Sequence, residues 1–155
     1  MIHYSIIIKS NHWSRRLKKI DKIIKSVLKH KKLFHFNKNV AYYFNFILMN
    51  DSIIKKYNYL YKKRNKATDV LTFISNNEKK INKNEKYCDI MLSAEISAKD
   101  AKKNKINFYD HISHLIIHSL LHTSGYKHSK YNDYLIMKKK EIEILKNLRI
   151  PNPFH

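Results

Sequence analysis

Four strand-like segments interleaved with helix-like ones predict a single α+β or α/β domain built on one sheet. Three observations carry this. The chain has 155 residues, a length that suits one domain, and 43% of them are apolar, enough for a core. Its β-branched and aromatic runs are short, and its longer amphipathic stretches repeat at helical spacing. After Ser93 only helical segments and a short extended tail follow, so the strands gather in the first two thirds.

In order, residues 2–8 end in Ile6-Ile7-Ile8 and read as a first strand. Ser14 to Lys29 reads as an amphipathic helix, with Leu17, Ile20, Ile23, Ile24, Val27 and Leu28 on one face and lysines opposite. Val40 to Met49 is aromatic and β-branched, a second strand. Asp51-Ser52 is expected to cap a short helix running to about Tyr61, followed by a basic connection from Lys62 to Lys66. Val70 to Ser75 and Tyr87 to Ser93 read as two further strands, separated by the polar stretch Asn76 to Lys86. Helices are expected over about 94–104, 109–124 and 131–147, with Pro151 and Pro153 in an extended tail.

Composition narrows the function classes. The longest apolar run, Val40 to Met49, is too short to span a bilayer, and Met1-Ile2-His3-Tyr4 lacks a signal peptide's basic start. A lone cysteine, Cys88, excludes an internal disulfide framework and fits a reducing compartment. A soluble, cytoplasmic protein without a membrane partner is expected. Its net charge of +20, from 32 Lys and Arg against 12 acids, is the footprint of a polyanion binder. A second origin for that charge stands beside the first. Lys, Asn, Ile, Tyr and Phe, all encoded by A/T-rich codons, make up 84 of the 155 residues, so a biased genome would also raise the lysine count.

The chemistry concentrates in His118-Ser119-Leu120-Leu121-His122-Thr123-Ser124-Gly125-Tyr126-Lys127-His128. His118 and His122 lie four apart on a helix, so both imidazoles project from one face about 6 Å apart along the axis. Gly125, the only glycine, suits the left-handed turn that ends a helix and brings His128 back toward the pair. Three imidazoles leave a fourth position open, as catalytic zinc requires, and Zn²⁺ is the default ion for such a set. The spacing is also that of the metzincin peptidases, which carry a general-base Glu directly after the first His. Here that position is Ser119, which argues against peptide hydrolysis.

These residues resemble the signature H-G-x-L-H-L-x-G-Y-D-H of YbeY, a bacterial family of ribosomal RNA maturation endoribonucleases. A second block of that family, L-N-x-x-Y-R-G-x-D-x-P-T-D-V-L-S-F, is similar to this chain at Asn58, Tyr61, Thr68, Asp69, Val70, Leu71 and Phe73. A third, G-D-I-x-I-S, is similar to Cys88-Asp89-Ile90-Met91-Leu92-Ser93, and Met137, Glu141, Ile144 and Leu145 precede the ending Pro153-Phe154. The resemblance implies an α+β fold: a single domain over residues 1–155 with a mixed four-stranded sheet surrounded by helices. It implies one Zn²⁺ per chain, on a helix and the following turn, held by His118, His122 and His128. It also implies single-strand-specific cleavage of RNA, in ribosomal RNA 3′-end maturation and ribosome quality control. The partners would be ribosomal RNA and ribosomal subunits, with no DNA.

The chain departs from the family at several positions. Ser119 replaces a Gly and Lys127 an Asp, while Lys62, Lys63, Asn65 and Ala67 fall where the family has Arg, Gly, Asp and Pro. Lys62 is thereby the expected catalytic cation, keeping the charge of Arg without its planar fork. Lys63, Arg64 and Lys66 are the expected RNA contacts. His114, Thr68 and Asp69 are expected behind the metal or along a groove, Asp69 equally as a turn residue, and His111 in solvent. Cys88 is read as a buried thiol, and Lys138-Lys139-Lys140 as the wet face of the last helix. The alternative function is a ribosome- or RNA-binding assembly factor whose zinc is structural.

Overall fold

The strand Ala41–Met49 (β2) shows how the sheet is covered, because its burial alternates residue by residue. Tyr42, Phe44, Phe46 and Leu48 point into the main core, while Tyr43, Asn45 and Ile47 on the other face are half-buried. In this computed structural model, which describes residues 1–75 and 84–154, β2 pairs in parallel with Ile2–Ile8 (β1) and with Glu85–Ser93 (β4). Val70–Ser75 (β3) pairs antiparallel with β4, so the order is β1-β2-β4-β3 and the sheet is mixed. The expected α+β architecture is the one observed. The polar stretch expected between the last two strands lies mostly outside the described residues.

Among the described residues five α-helices surround the sheet: Leu17–Lys29 (α1), Asp51–Lys62 (α2), Ala94–Lys103 (α3), Phe108–Thr123 (α4) and Tyr131–Asn147 (α5). Ile20, Ile24 and Val27 of α1 meet Ile112, Ile116 and Leu120 of α4 and the even-numbered side chains of β2 in one core. A smaller cluster of Met49, Ile54, Leu71 and Met91 seats α2 against the other face. Beyond α2 that face is wetter. Ser5 donates to Asn45 (2.7 Å) and Asn45 to Asp89 (3.0 Å), which gives the strand carboxylate Asp89 a structural hydrogen bond.

Local expectations change at the starts of two helices. α1 begins at Leu17 rather than Ser14, because the preceding residues form a short 3₁₀ turn, Asn11–Trp13, with Trp13 buried and its indole N–H donating to the Met49 carbonyl (2.8 Å). Another such turn, Lys31–Phe34, tucks Phe34 into the core. The cap of α2 is Asn50, whose side chain accepts from the Ile53 N–H (2.9 Å). Asp51 instead reaches across to the start of α3, accepting from the Ile96 N–H (3.1 Å) and from the Ser93 hydroxyl. A carboxylate at that helix N-terminus is favoured by the dipole.

Among the described residues no helix is long and apolar enough to cross a membrane. Cys88 is fully buried on β4, as expected, and burial pushes its thiol from 9.0 up to about 12. Two outcomes are expected. Thiol reagents at pH 8 should modify Cys88 at the rate of unfolding rather than of a free thiol. The thiol's raised folded pKa should also contribute stability below pH 9 that disappears as pH rises toward 12. Denaturant midpoints across that range, compared with Cys88→Ala, check the second.

Candidate metal centre

Helix α4 is buried along most of its length, which places its few polar side chains under strict control. Asn107 caps its start, accepting from the Tyr109 N–H (2.9 Å) and the Asp110 N–H (3.3 Å). At its end the Tyr126 N–H donates to the Leu121 carbonyl (3.1 Å) and the Gly125 N–H to the His122 carbonyl (3.2 Å), a Schellman motif. Gly125 has φ +108°, so any L side chain there would be strained although the space around it is open. This turn returns the chain so that His128 meets His118 and His122.

The three imidazoles each offer a ligand atom within 4.8 Å of the others. Nε2 of His118 and Nε2 of His122 are 3.1 Å apart, and the His128 ring centroid lies 5.4 Å and 4.6 Å from theirs. Hydrogen bonds fix two of the tautomers. The His122 Nδ1–H donates to the Tyr126 carbonyl (3.0 Å), since a carbonyl can only accept. The His118 Nδ1–H donates to the carboxylate of Glu141. With both rings neutral, as metal ligands must be, both Nε2 lone pairs face inward. Burial, with His118 and His128 nearby, lowers the His122 pKa to about 4, so this ring stays neutral near neutral pH. Two facing lone pairs repel unless a cation lies between them, and neutral imidazoles are what a metal such as zinc requires.

Glu141 on α5 was not anticipated as a site residue. It is 3% exposed and accepts from both His118 and His114, the latter at 2.9 Å. Burial would raise its pKa, yet the two histidine hydrogen bonds prevail and lower it to about 2. One signal was available: Glu141 lies on the buried face of α5 with Met137, Ile144 and Leu145, and an acid in an apolar stripe needs partners. His114 thus stands behind the triad, on Glu141, and is not in the ligand cluster.

His118 and His128 form a wall shared by two cavities. One, of about 400 Å³, is also lined by Asp69, His111, His114, Tyr134, Lys138 and Phe154. The other, of about 390 Å³, is lined by Lys62, Thr72, Ile74, His122 and Lys127. Lys62 therefore joins the histidines. Lys63, Arg64 and Lys66 are exposed on the connection after α2 and line neither cavity; Thr68 lines neither as well. Asp69 lines the first cavity and accepts from the Val70 N–H (2.8 Å). Lys63, at the position of a family Gly, adopts φ +57°, which gives that Gly a conformational reason.

Two other placements differ from expectation. His111 is buried rather than solvated, because α4 turns that face toward Asp69. Lys138 is half-buried at the cavity wall, its ammonium 4.7 Å from the Phe154 ring centre, so the lysine run is not a uniformly wet face. Ser119 is fully buried and its hydroxyl has no hydrogen-bond partner, so it faces the core rather than the site. Cys88 is not part of the histidine cluster.

Fold and site define an α+β protein with a three-histidine centre on a helix and its following turn. The chain belongs to the Endoribonuclease YbeY family, which it matches over residues 6–149. It is 36% identical over 108 residues to Endoribonuclease YbeY of Buchnera aphidicola subsp. Baizongia pistaciae, covering 69% of either chain. The YbeY of Neorickettsia sennetsu is 34% identical over 141 residues, covering 89% of this chain and 92% of the relative. A Thermotoga maritima protein solved in solution shares the fold, with TM-score 0.54 and 22% identity over 96% of this chain and 92% of that one.

Replacing Glu141 with Gln should keep the shape but weaken the grip on His118. Zinc affinity, measured by competition with a chelator at pH 7, is expected to fall about 10- to 100-fold. The depressed pKa of Glu141 also contributes stability that is present above pH 4.5 and is lost as pH falls toward 2. The stability gap between the metal-free wild type and Glu141→Gln should close over that window.

Proposed function

We propose that this chain is a metal-dependent endoribonuclease that cuts single-stranded RNA, with residues 1–155 as its one domain. One Zn²⁺ would be held by His118, His122 and His128. The observation that carries the reading is the inward pair of Nε2 lone pairs, fixed by Glu141 and the Tyr126 carbonyl, in a member of the YbeY family. Bound there, zinc supplies Lewis acidity toward a phosphodiester.

The chain's own groups do the rest. Glu141 keeps a proton on Nδ1 of His118, and the Tyr126 carbonyl keeps one on Nδ1 of His122, so neither ring can rotate away. Lys62, on the wall of the cavity that contains His122 and His128, presents an ammonium where charge develops on the phosphate. Lys63, Arg64 and Lys66 extend positive charge along the approach outside the cavities, where they hold the RNA backbone. The substrate would be ribosomal RNA on ribosomal subunits in the cytoplasm, at 3′-end maturation and quality control. An RNA-binding assembly factor is the second reading, favoured by Lys62 standing where the family has Arg.

Cleavage of a single-stranded RNA by zinc-loaded protein separates the two. His122→Ala should abolish both cleavage and stoichiometric zinc. Lys62→Ala should cost on the order of 3 kcal/mol in the transition state, about a hundredfold in rate. RNA affinity should fall far less and should weaken steeply with salt in the wild type. Lys62→Arg should keep or raise the rate, since the fork grips two phosphate oxygens. Absence of cleavage in wild type and Lys62→Arg alike, with both binding RNA equally, would favour the assembly factor.

A further inference from the structure

A second group of metal-ligating side chains lies away from the histidine triad. Asp69 from the approach to β3, Asp100 from the last turn of α3 and His111 from the first turn of α4 each bring a ligand atom within 4.8 Å of the others. Tertiary packing makes this meeting, since the three belong to different elements.

His111 is 8% exposed, and its Nε2 is buried without a hydrogen-bond partner. Asp69 Oδ2 lies 3.7 Å from it, beyond hydrogen-bond reach. The other oxygen of Asp69 already accepts from the Val70 N–H, leaving Oδ2 free to turn toward a ligand. Among the described residues no Lys or Arg side-chain nitrogen lies within 4 Å of a carboxylate oxygen of Asp69 or Asp100, in a chain with 32 such residues. Two carboxylates and an orphaned imidazole nitrogen thus converge with nothing positive between them. A buried polar atom left this way costs stability unless a partner arrives.

We propose that Asp69, Asp100 and His111 form a second divalent-cation site, separate from His118, His122 and His128, that takes an ion of the Mn²⁺ class. Two carboxylate oxygens and one imidazole nitrogen would hold it, and water would complete the shell. The donor set selects the ion: carboxylates suit Mg²⁺ and Mn²⁺, and the imidazole turns the preference from Mg²⁺ toward transition metals. Burial lowers the pKa of His111, against the opposing effect of Asp69, and so keeps a lone pair available. Ligand atoms about 2.1 Å from one ion stand at most about 4.2 Å apart, so small side-chain rotations close the site. The C-terminal end of α3 and the N-terminal end of α4 carry opposite partial charges here, which leaves the two carboxylates to set the sign.

His111 and His118 are seven residues apart on α4, about 10 Å along its axis, so the two sites share no ligand. Asp69 and His111 nevertheless line the same cavity as His118 and His128. The ion would clip the approach to β3 onto α3 and α4 and fix the far wall of that cavity.

The test is a titration of zinc-loaded protein with MnCl₂, following the electron paramagnetic resonance of free Mn²⁺ and measuring zinc in parallel. One Mn²⁺ per chain should be taken up with zinc retained, and the thermal midpoint should rise with Mn²⁺. Asp100→Asn and His111→Gln should each lower Mn²⁺ affinity at least tenfold and remove that rise, with zinc content unchanged. Asp100 is partly exposed, so Asp100→Asn is decisive if His111→Gln fails to fold. His122→Ala should lose zinc but still take up Mn²⁺, which keeps this result independent of the triad and of RNA cleavage. No Mn²⁺ uptake, uptake only as zinc leaves, or equal uptake by Asp100→Asn would overturn the proposal.

Discussion

A carboxylate buried as deeply as Glu141 must be compensated, and the way it is compensated organises the site. Two imidazole N–H groups from consecutive turns of α4 supply what water would otherwise provide. Removing either partner would leave one oxygen of the buried carboxylate without its hydrogen bond, so Glu141 ties α5 to α4 at two points. The same bonds direct the far nitrogen of His118 outward into the cluster. Packing of the last helix and preparation of the histidine centre are therefore one event.

The end of α4 adds a second constraint. Its last carbonyls carry partial negative charge, which would favour a cation held beside His122 and His128. The Schellman turn satisfies some of these carbonyls while placing the Tyr126 carbonyl against Nδ1 of His122. Gly125 serves both purposes at once. Retaining one glycine in a composition that has shed the others is understandable here, because a positive φ of 108° is strained for any other residue.

Much of this was legible in the sequence, for identifiable reasons. Strands and helices followed from periodicity; the start of α1 moved where a short 3₁₀ turn carries Trp13 into the core, and a second such turn buries Phe34 without a helical repeat to announce it. The convergence of His118, His122 and His128 followed from helical spacing and one glycine. Whatever depended on a partner distant in sequence was not legible. Asp51 looked like the cap of its own helix and serves α3 instead, 45 residues on. His111 looked solvated until α4 was set against Asp69. Lys138 looked like one of three wet lysines, although Phe154 and the cavity wall cover part of it. Glu141 had a visible oddity, an acid on a buried face, but its partners lie 23 and 27 residues upstream.

The most direct test of the central claim is X-ray absorption at the zinc edge on the chain loaded with one equivalent of zinc. Three imidazole nitrogens at about 2.0–2.1 Å, with the remaining scattering from light oxygen, is the result this structure predicts. Replacing Glu141 with Gln should leave three imidazoles but broaden their distances, because His118 loses its fixed orientation. Two or fewer imidazoles, or a shell unchanged when His128 is replaced by Ala, would contradict a centre built on this helix and turn.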